Sequence, residues 1–202
     1  MSIYNSRTAQ PVSDHSRGAA MGTWGLWLAL VVLAMFVAGL SAAVLYSHTG
    51  QEAWPPQGIE QPGGMYALGA VLLTIAGAVS SARALVRVRA GQRRLSGVAL
   101  AASTALLGAA VLLLVIDLVS VGFRWDQHVY TSLYWVMTGM TIFFVGVGAL
   151  IVGAALIQAV VGLIDQDRHL ELTNASIYVW FAAGAAAVLL GLVHLLPTTG
   201  GG

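Results

Sequence analysis

The chain has 202 residues, 58% of them hydrophobic and 8% charged, with a net charge of +1. A soluble domain carries about 25% charged residues, so these side chains cannot coat a globule in water. Cysteine is absent, which excludes disulfides, thiolate metal sites and cysteine nucleophiles. Lysine is absent too, and there is no basic surface interleaved with aromatics of the kind that binds nucleic acid.

The apolar residues fall in long runs rather than in the alternating or heptad patterns of a soluble core. A spanning helix needs roughly 20 predominantly apolar residues, because the hydrocarbon layer is about 30 Å thick and each residue rises about 1.5 Å. The sequence predicts an all-α, polytopic membrane protein with five such spans. Residues 1–20 are polar and rich in Ser, with Arg7 and Arg17, and read as a flexible tail before an uncleaved first helix. A single five-helix domain is expected over 21–197, and 198–202 form a second flexible tail.

The first span covers about 23–46 and carries boundary-seeking aromatics, Trp24, Trp27 and Tyr46. The loop after it, 48–64, holds Trp54, Pro55, Pro56, Gly58, Pro62 and Gly63, a density of Pro and Gly that excludes helix. The second span, about 65–86, runs into Arg83, Arg87, Arg89, Arg93 and Arg94, with a break at Gly91. The third covers about 95–121 and is followed by a short loop with Arg124, Trp125, Asp126 and His128. The fourth, about 130–163, is longer than the bilayer core and must tilt or project beyond it. A polar loop with Asp165, Asp167, Arg168, His169 and Glu171 leads to the fifth span, about 175–196.

Positive charge in short loops stays cytoplasmic. With the N-terminus inside, Arg7, Arg17, Arg83, Arg87, Arg89, Arg93, Arg94 and Arg168 share one side, and Arg124 alone is on the other. That bias places the Trp54 loop, the Trp125 loop and the C-terminus outside. Small residues are abundant within the spans, including Gly69, Gly77, Gly139, Gly146, Gly148, Ala182, Ala183 and Gly184. They suit close helix packing in lipid; the polar side chains that a pore requires are missing.

Asp117 is the one acid well inside a span. A charge in the membrane is costly, which makes it a functional candidate. It can relay protons or pair with an Arg of a partner subunit. It also lies about one turn from the outer end of its helix, where a plain interfacial hydrogen bond would account for it. His194 lies near the outer end of the last span, but no second His shares a helix face with it in ligand spacing, as haem binding would need. The cluster from Asp165 to Glu171 reads as a solvated loop before it reads as a metal site or proton antenna. No phosphate-binding glycine loop and no nucleophile elbow occur. The arginines of the second loop suit topogenic anchoring and anionic lipid head groups.

Several stretches together resemble subunit III of the haem–copper (cytochrome c) oxidases. Gly22-Thr23-Trp24-Gly25-Leu26-Trp27 followed by Met35-Phe36-Val37-Ala38-Gly39-Leu40 is similar to a family helix with a Gly-x-Trp start and a Met-Phe-Phe-x-Gly-Leu core. Trp54-Pro55-Pro56-Gln57-Gly58 resembles the family's outside Trp-Pro-Pro-x-Gly loop. The basic turn around Gly91 and His169-Leu170-Glu171-Leu172 ahead of the last span also have counterparts there. The resemblance runs from about Gly22 to Pro197 and suits the five-span form that lacks the family's first two helices. Three family features differ. Val32 or Leu33 stands where the first-span acid is usual, Tyr178 falls about where the last helix has a His, and Trp135 to Gly139 contains no His.

The resemblance implies an accessory, non-redox subunit of a bacterial terminal oxidase in the inner membrane. Haem and copper would reside in the partner catalytic subunits. The chain would pack against subunit I, with subunit II in the same complex, bind phospholipid, and support stability and proton uptake. The expected lipid contacts are Arg87, Arg89, Arg93 and Arg94 at the inner face, Trp24 and Trp27 at the boundary, and Glu171 from the stretch before the last helix. A small polytopic transporter and a haem- or quinone-binding anchor remain the alternatives.

Overall fold

The computed structural model describes residues 14–51, 53–56, 58–162 and 170–196, with side chains from Gly22 onward. Within them are five helices: α1 (Asp14–Gly50), α2 (Met65–Arg89), α3 (Arg93–Ser120), α4 (Val129–Val161) and α5 (Leu170–Leu195). All five are long and apolar enough to cross a membrane. The described residues contain no β-strand. The cluster of Asp165, Asp167, Arg168 and His169 lies outside the described residues.

The helices outrun the apolar spans at several ends. α1 begins at Asp14, inside the stretch read as a tail, and α5 begins at Leu170, five residues ahead of the expected start. Hydropathy marks where lipid is the solvent, whereas a helix continues into the interface as long as its backbone bonds are better made internally. α4 ends at Val161 because Gly162 adopts a left-handed conformation (φ 84°) and returns its N–H to the Ala159 carbonyl. Gly91 makes the reversal between α2 and α3 in the same way, with φ 73°.

α2, α3, α4 and α5 close a ring, each packed on the next and α5 returning to α2. α1 stands outside the ring and leans on α5, with a lesser contact to α4. The buried positions recur every three and four residues. On α2 they include Ala67, Ala70, Thr74, Gly77, Ser81, Ala84 and Val88. On α3 they include Leu100, Ser103, Leu107, Ala110, Leu114 and Asp117. On α1, Leu30, Val37 and Val44 form the seam, flanked by Leu26, Leu33 and Leu40. This is the 3–4 spacing of helices crossing at a shallow angle. The heptad pattern that the apolar runs hid is therefore present, written in residue size instead of polarity.

Close approach is greatest between α2 and α3. The Ser103 hydroxyl donates to the Gly77 carbonyl at 2.8 Å, and Ser80 donates to Ala99 at 2.9 Å. Gly148 admits Tyr178 and Val179 of α5. Not every small residue packs this way: Gly139, Gly146 and Gly184 have open space where a side chain would be. The perimeter is apolar, with Leu68, Val98, Leu112, Val119, Leu150 and Ile157 exposed. In water such a surface would drive association; in lipid it is the solvated face.

Candidate functional site

Two regions carry the polar groups, one at each end of the ring. One end holds the α2–α3 turn. Arg89 and Arg94 are exposed there, as is Arg93, which also has a partner of its own. Arg87 is half-buried, and its guanidinium donates to the Leu95 carbonyl at 3.0 Å. It thus staples the end of α2 to the start of α3. Beside it, a groove of about 320 Å3 runs between α2 and α5, lined by Val79, Ala82, Arg83, Val86, Arg87 and Trp180. Two arginines sit at its basic end, and apolar side chains line the rest. Trp24 and Trp27 lie exposed on α1, away from this groove's lining. Glu171 is exposed in the first turn of α5, where its charge complements the helix N-terminus.

At the opposite end, six rings form a continuous chain of edge contacts. His48 meets Trp54 at a centroid distance of 5.5 Å, and Trp54 meets Tyr130 at 5.0 Å. Phe123 touches Tyr130 at 6.1 Å and Tyr134 at 5.4 Å, and Tyr134 meets His194 at 5.8 Å. The chain thereby joins the end of α1, the Pro-rich loop, the loop after α3, the start of α4 and the end of α5. Its members come together for simple reasons. Tyr130 and Tyr134 are one helical turn apart and share a face. His128 starts α4, its N–H donating to the Thr131 hydroxyl at 3.0 Å. Gln61 of the loop donates to the His194 carbonyl at 3.0 Å, which holds the loop over the last turn of α5. Trp54, with 3% of its surface exposed, is the loop's anchor.

Asp117 enters this cluster from α3. It occupies the inward seam after Leu107, Ala110 and Leu114, and only 2% of it is exposed. The Tyr134 hydroxyl donates to its Oδ2 at 2.6 Å. A cavity of about 730 Å3 reaches Asp117 between the loop at Gly58–Gly63 and the end of α3, with Glu60, Gln61, Ser120 and Gln127 among its polar lining. Arg124 is bound to Asp126 at 3.3 Å and both are exposed. His194 packs on Tyr134 while His48 packs on Trp54. Among the described residues, no group of three or more His, Asp or Glu comes together in a way that could hold a metal ion.

The sequence pointed to Asp117 but not to Tyr134 or to the ring chain. The signal was there in depth. Asp117 lies three residues before the end of α3, and Tyr134 lies five after the start of the antiparallel α4, so the two share a level. Tyr178, which stands about where the family's last helix has a His, turns its hydroxyl to the Phe144 carbonyl at 3.3 Å and so links α5 to α4.

A search among curated proteins finds no match. The family model described as cytochrome c oxidase subunit III matches residues 16–192, nearly the whole chain and all five helices. A bundle of membrane-spanning helices with an apolar perimeter agrees with that match, and the chain belongs to the cytochrome c oxidase subunit III family.

Proposed function

We propose that the chain is an accessory, non-redox subunit of a bacterial haem–copper terminal oxidase. Family membership implies association with other oxidase subunits in a membrane complex. In this reading the chain packs against catalytic subunit I, with subunit II alongside, while haem and copper belong to those partners. The observation that carries it is the family match across the entire helical bundle. A transporter has less support, because the interior is filled by Leu100, Leu107, Leu114, Met137 and Phe144, all buried to 0% exposure. Such a core leaves little room for an aqueous path.

The chain also binds anionic phospholipid and supports the stability and proton uptake of the oxidase. The α2–α5 groove supports the lipid part: Arg83 and Arg87 would take the phosphate, and Val79, Ala82, Val86 and Trp180 the acyl chain. The arginine distribution supports an orientation with the N-terminus cytoplasmic and the Trp54 loop outside.

Purification through a tag on this chain in mild detergent tests the reading. Co-purification of a haem- and copper-containing subunit with oxygen-consuming activity is the expected result. A colourless homomer that moves a solute in vesicles would replace it with the transporter, and a Soret band in the isolated chain would replace it with a haem anchor.

A further inference from the structure

Asp117 is a buried acid with no salt bridge among the described residues. Its carboxyl has one protein partner among the described residues, the Tyr134 hydroxyl on Oδ2; Oδ1 has none. α2 contributes Tyr66, which lines the same cavity. α4 contributes Tyr134 and Tyr130, and α5 contributes His194, which packs edge-on against the Tyr134 ring within electrostatic range of Asp117. The Pro-rich loop contributes Glu60 across the cavity, a second acid. Arg124 is exposed and held by Asp126. Among the described residues no arginine forms an ion pair with Asp117, and the chain has no lysine. A carboxylate at a helix seam in the membrane needs either a bound cation or a bound proton to be tolerated. The cavity supplies the route, since it places Asp117 in reach of water past Glu60, Gln61 and Gln127.

We infer that Asp117 is a reversible proton-binding site, loaded through the cavity under the Gly58–Gly63 loop and held in place by the Tyr134 hydroxyl. On loading, a hydronium in the cavity gives its proton to the Asp117 carboxylate and leaves as water. On unloading, water takes the proton back. Tyr134 keeps its own proton throughout and acts as a positioning residue, fixing Oδ2 and leaving Oδ1 to the cavity. Glu60, near the mouth, raises the local concentration of cations and so favours loading. This site goes beyond membership in an oxidase complex. Its assignment to the outer compartment alone rests on the orientation proposed above.

The test is infrared difference spectroscopy on the full chain in sealed proteoliposomes. Single-cysteine forms, Gln92→Cys and Gln127→Cys, report which side faces out. The expected result is a protonated-carboxyl carbonyl band whose amplitude follows pH on the side where Gln127→Cys is labelled. The band is lost in Asp117→Asn and shifted in frequency in Tyr134→Phe, while Glu60→Gln keeps it. Tyr134→Phe removes one oxygen and keeps the ring, so it serves even if Asp117→Asn fails to assemble. A band unmoved by both Asp117→Asn and Tyr134→Phe, or one that follows pH on the Gln92 side, overturns the proposal. Loss of the band on adding sodium or potassium at constant pH also overturns it, and makes the cavity a metal-cation site. A reversed cysteine pattern with the band still following the Gln127 side overturns only the orientation.

Discussion

A β-carbon built on Gly77 would lie 3.0 Å from both Cγ and Cδ2 of Leu107, and the carbonyl of the same glycine accepts a hydrogen bond from Ser103. One position therefore supplies both the close approach and the polar link between α2 and α3. Gly77→Val drives two branches into the Leu107 side chain and pushes the Ser103 bond apart. The expected loss is about 1–3 kcal/mol, the range for overpacked cores. Gly146→Ala, at a helical glycine with open space beside it, should be neutral or stabilising by a few tenths of a kcal/mol to about 1 kcal/mol. Denaturation of the purified chain in mixed micelles, read by far-UV circular dichroism, compares the two. Equal effects would mean that the α2–α3 contact is not the tight one.

Trp54 is the hub of the ring chain, lying between His48 and Tyr130 with 3% of its surface exposed. Trp54→Ala removes the piece that ties α1, the loop and α4 together. A buried aromatic cut back to alanine costs about 3–5 kcal/mol. The measurement is the thermal midpoint of the chain in nanodiscs, with cleavage of the 51–64 loop by protease as a second readout. Trp54→Phe keeps an edge-on ring and should recover more than half of the loss. If Trp54→Ala melted like the parent chain, the loop would be held by Gln61 and His194 rather than by its tryptophan.

The five spans were plain in the sequence because each is a long apolar run, and lipid selects for that property alone. The seam was not plain. In a soluble helix the buried face is marked by apolar residues against a polar background; here both faces are apolar, and the mark is small or hydroxylated side chains such as Thr74, Gly77, Ser81 and Ser103. At the start of α5 the helix extends ahead of the apolar run, where Leu170 to Asn174 is helical although polar. Asp117 stood out as an acid among apolar residues. Its partner did not, because a tyrosine near the end of a span is ordinarily an interfacial anchor. Only the pairing of depths across the α3–α4 turn separates Tyr134 from Tyr46, which is exposed.

The two arginines of the α2–α5 groove have different duties, and this gives a lipid prediction. Arg83 is exposed and lines the groove, whereas Arg87 also holds the Leu95 carbonyl. Each arginine near an anionic head group is worth about 1 kcal/mol, or roughly fivefold in affinity. Arg83→Gln should lower retention of phosphatidylglycerol or cardiolipin about fivefold, read by native mass spectrometry, with little change in thermal stability. Arg87→Gln should lower both. Arg89→Gln, outside the groove, should change neither by more than about twofold. Retention that is insensitive to Arg83 would move the lipid to another face, with the α1 surface around Trp24 and Trp27 the next to test.

Orientation is the remaining expectation with a direct chemical test, because the chain contains no cysteine and any introduced thiol is unique. Gln92 and Gln127 are both exposed and lie at opposite ends of α3. The sequence predicts that the arginines divide eight to one across the membrane, with Arg7, Arg17, Arg83, Arg87, Arg89, Arg93, Arg94 and Arg168 on one side and Arg124 on the other. Because such a bias sets topology for short loops, an impermeant maleimide added to intact cells should label Gln127→Cys and leave Gln92→Cys unlabelled until lysis. The same logic predicts the effect of charge on insertion. Changing Arg87, Arg89, Arg93 and Arg94 together to Gln removes half of the eight, leaving Arg7 and Arg17 ahead of the first apolar span as the dominant signal, so the orientation should hold with a lower yield of inserted protein. A full inversion in that variant would show that the α2–α3 turn, and not the N-terminal arginines, decides which way the bundle enters the membrane.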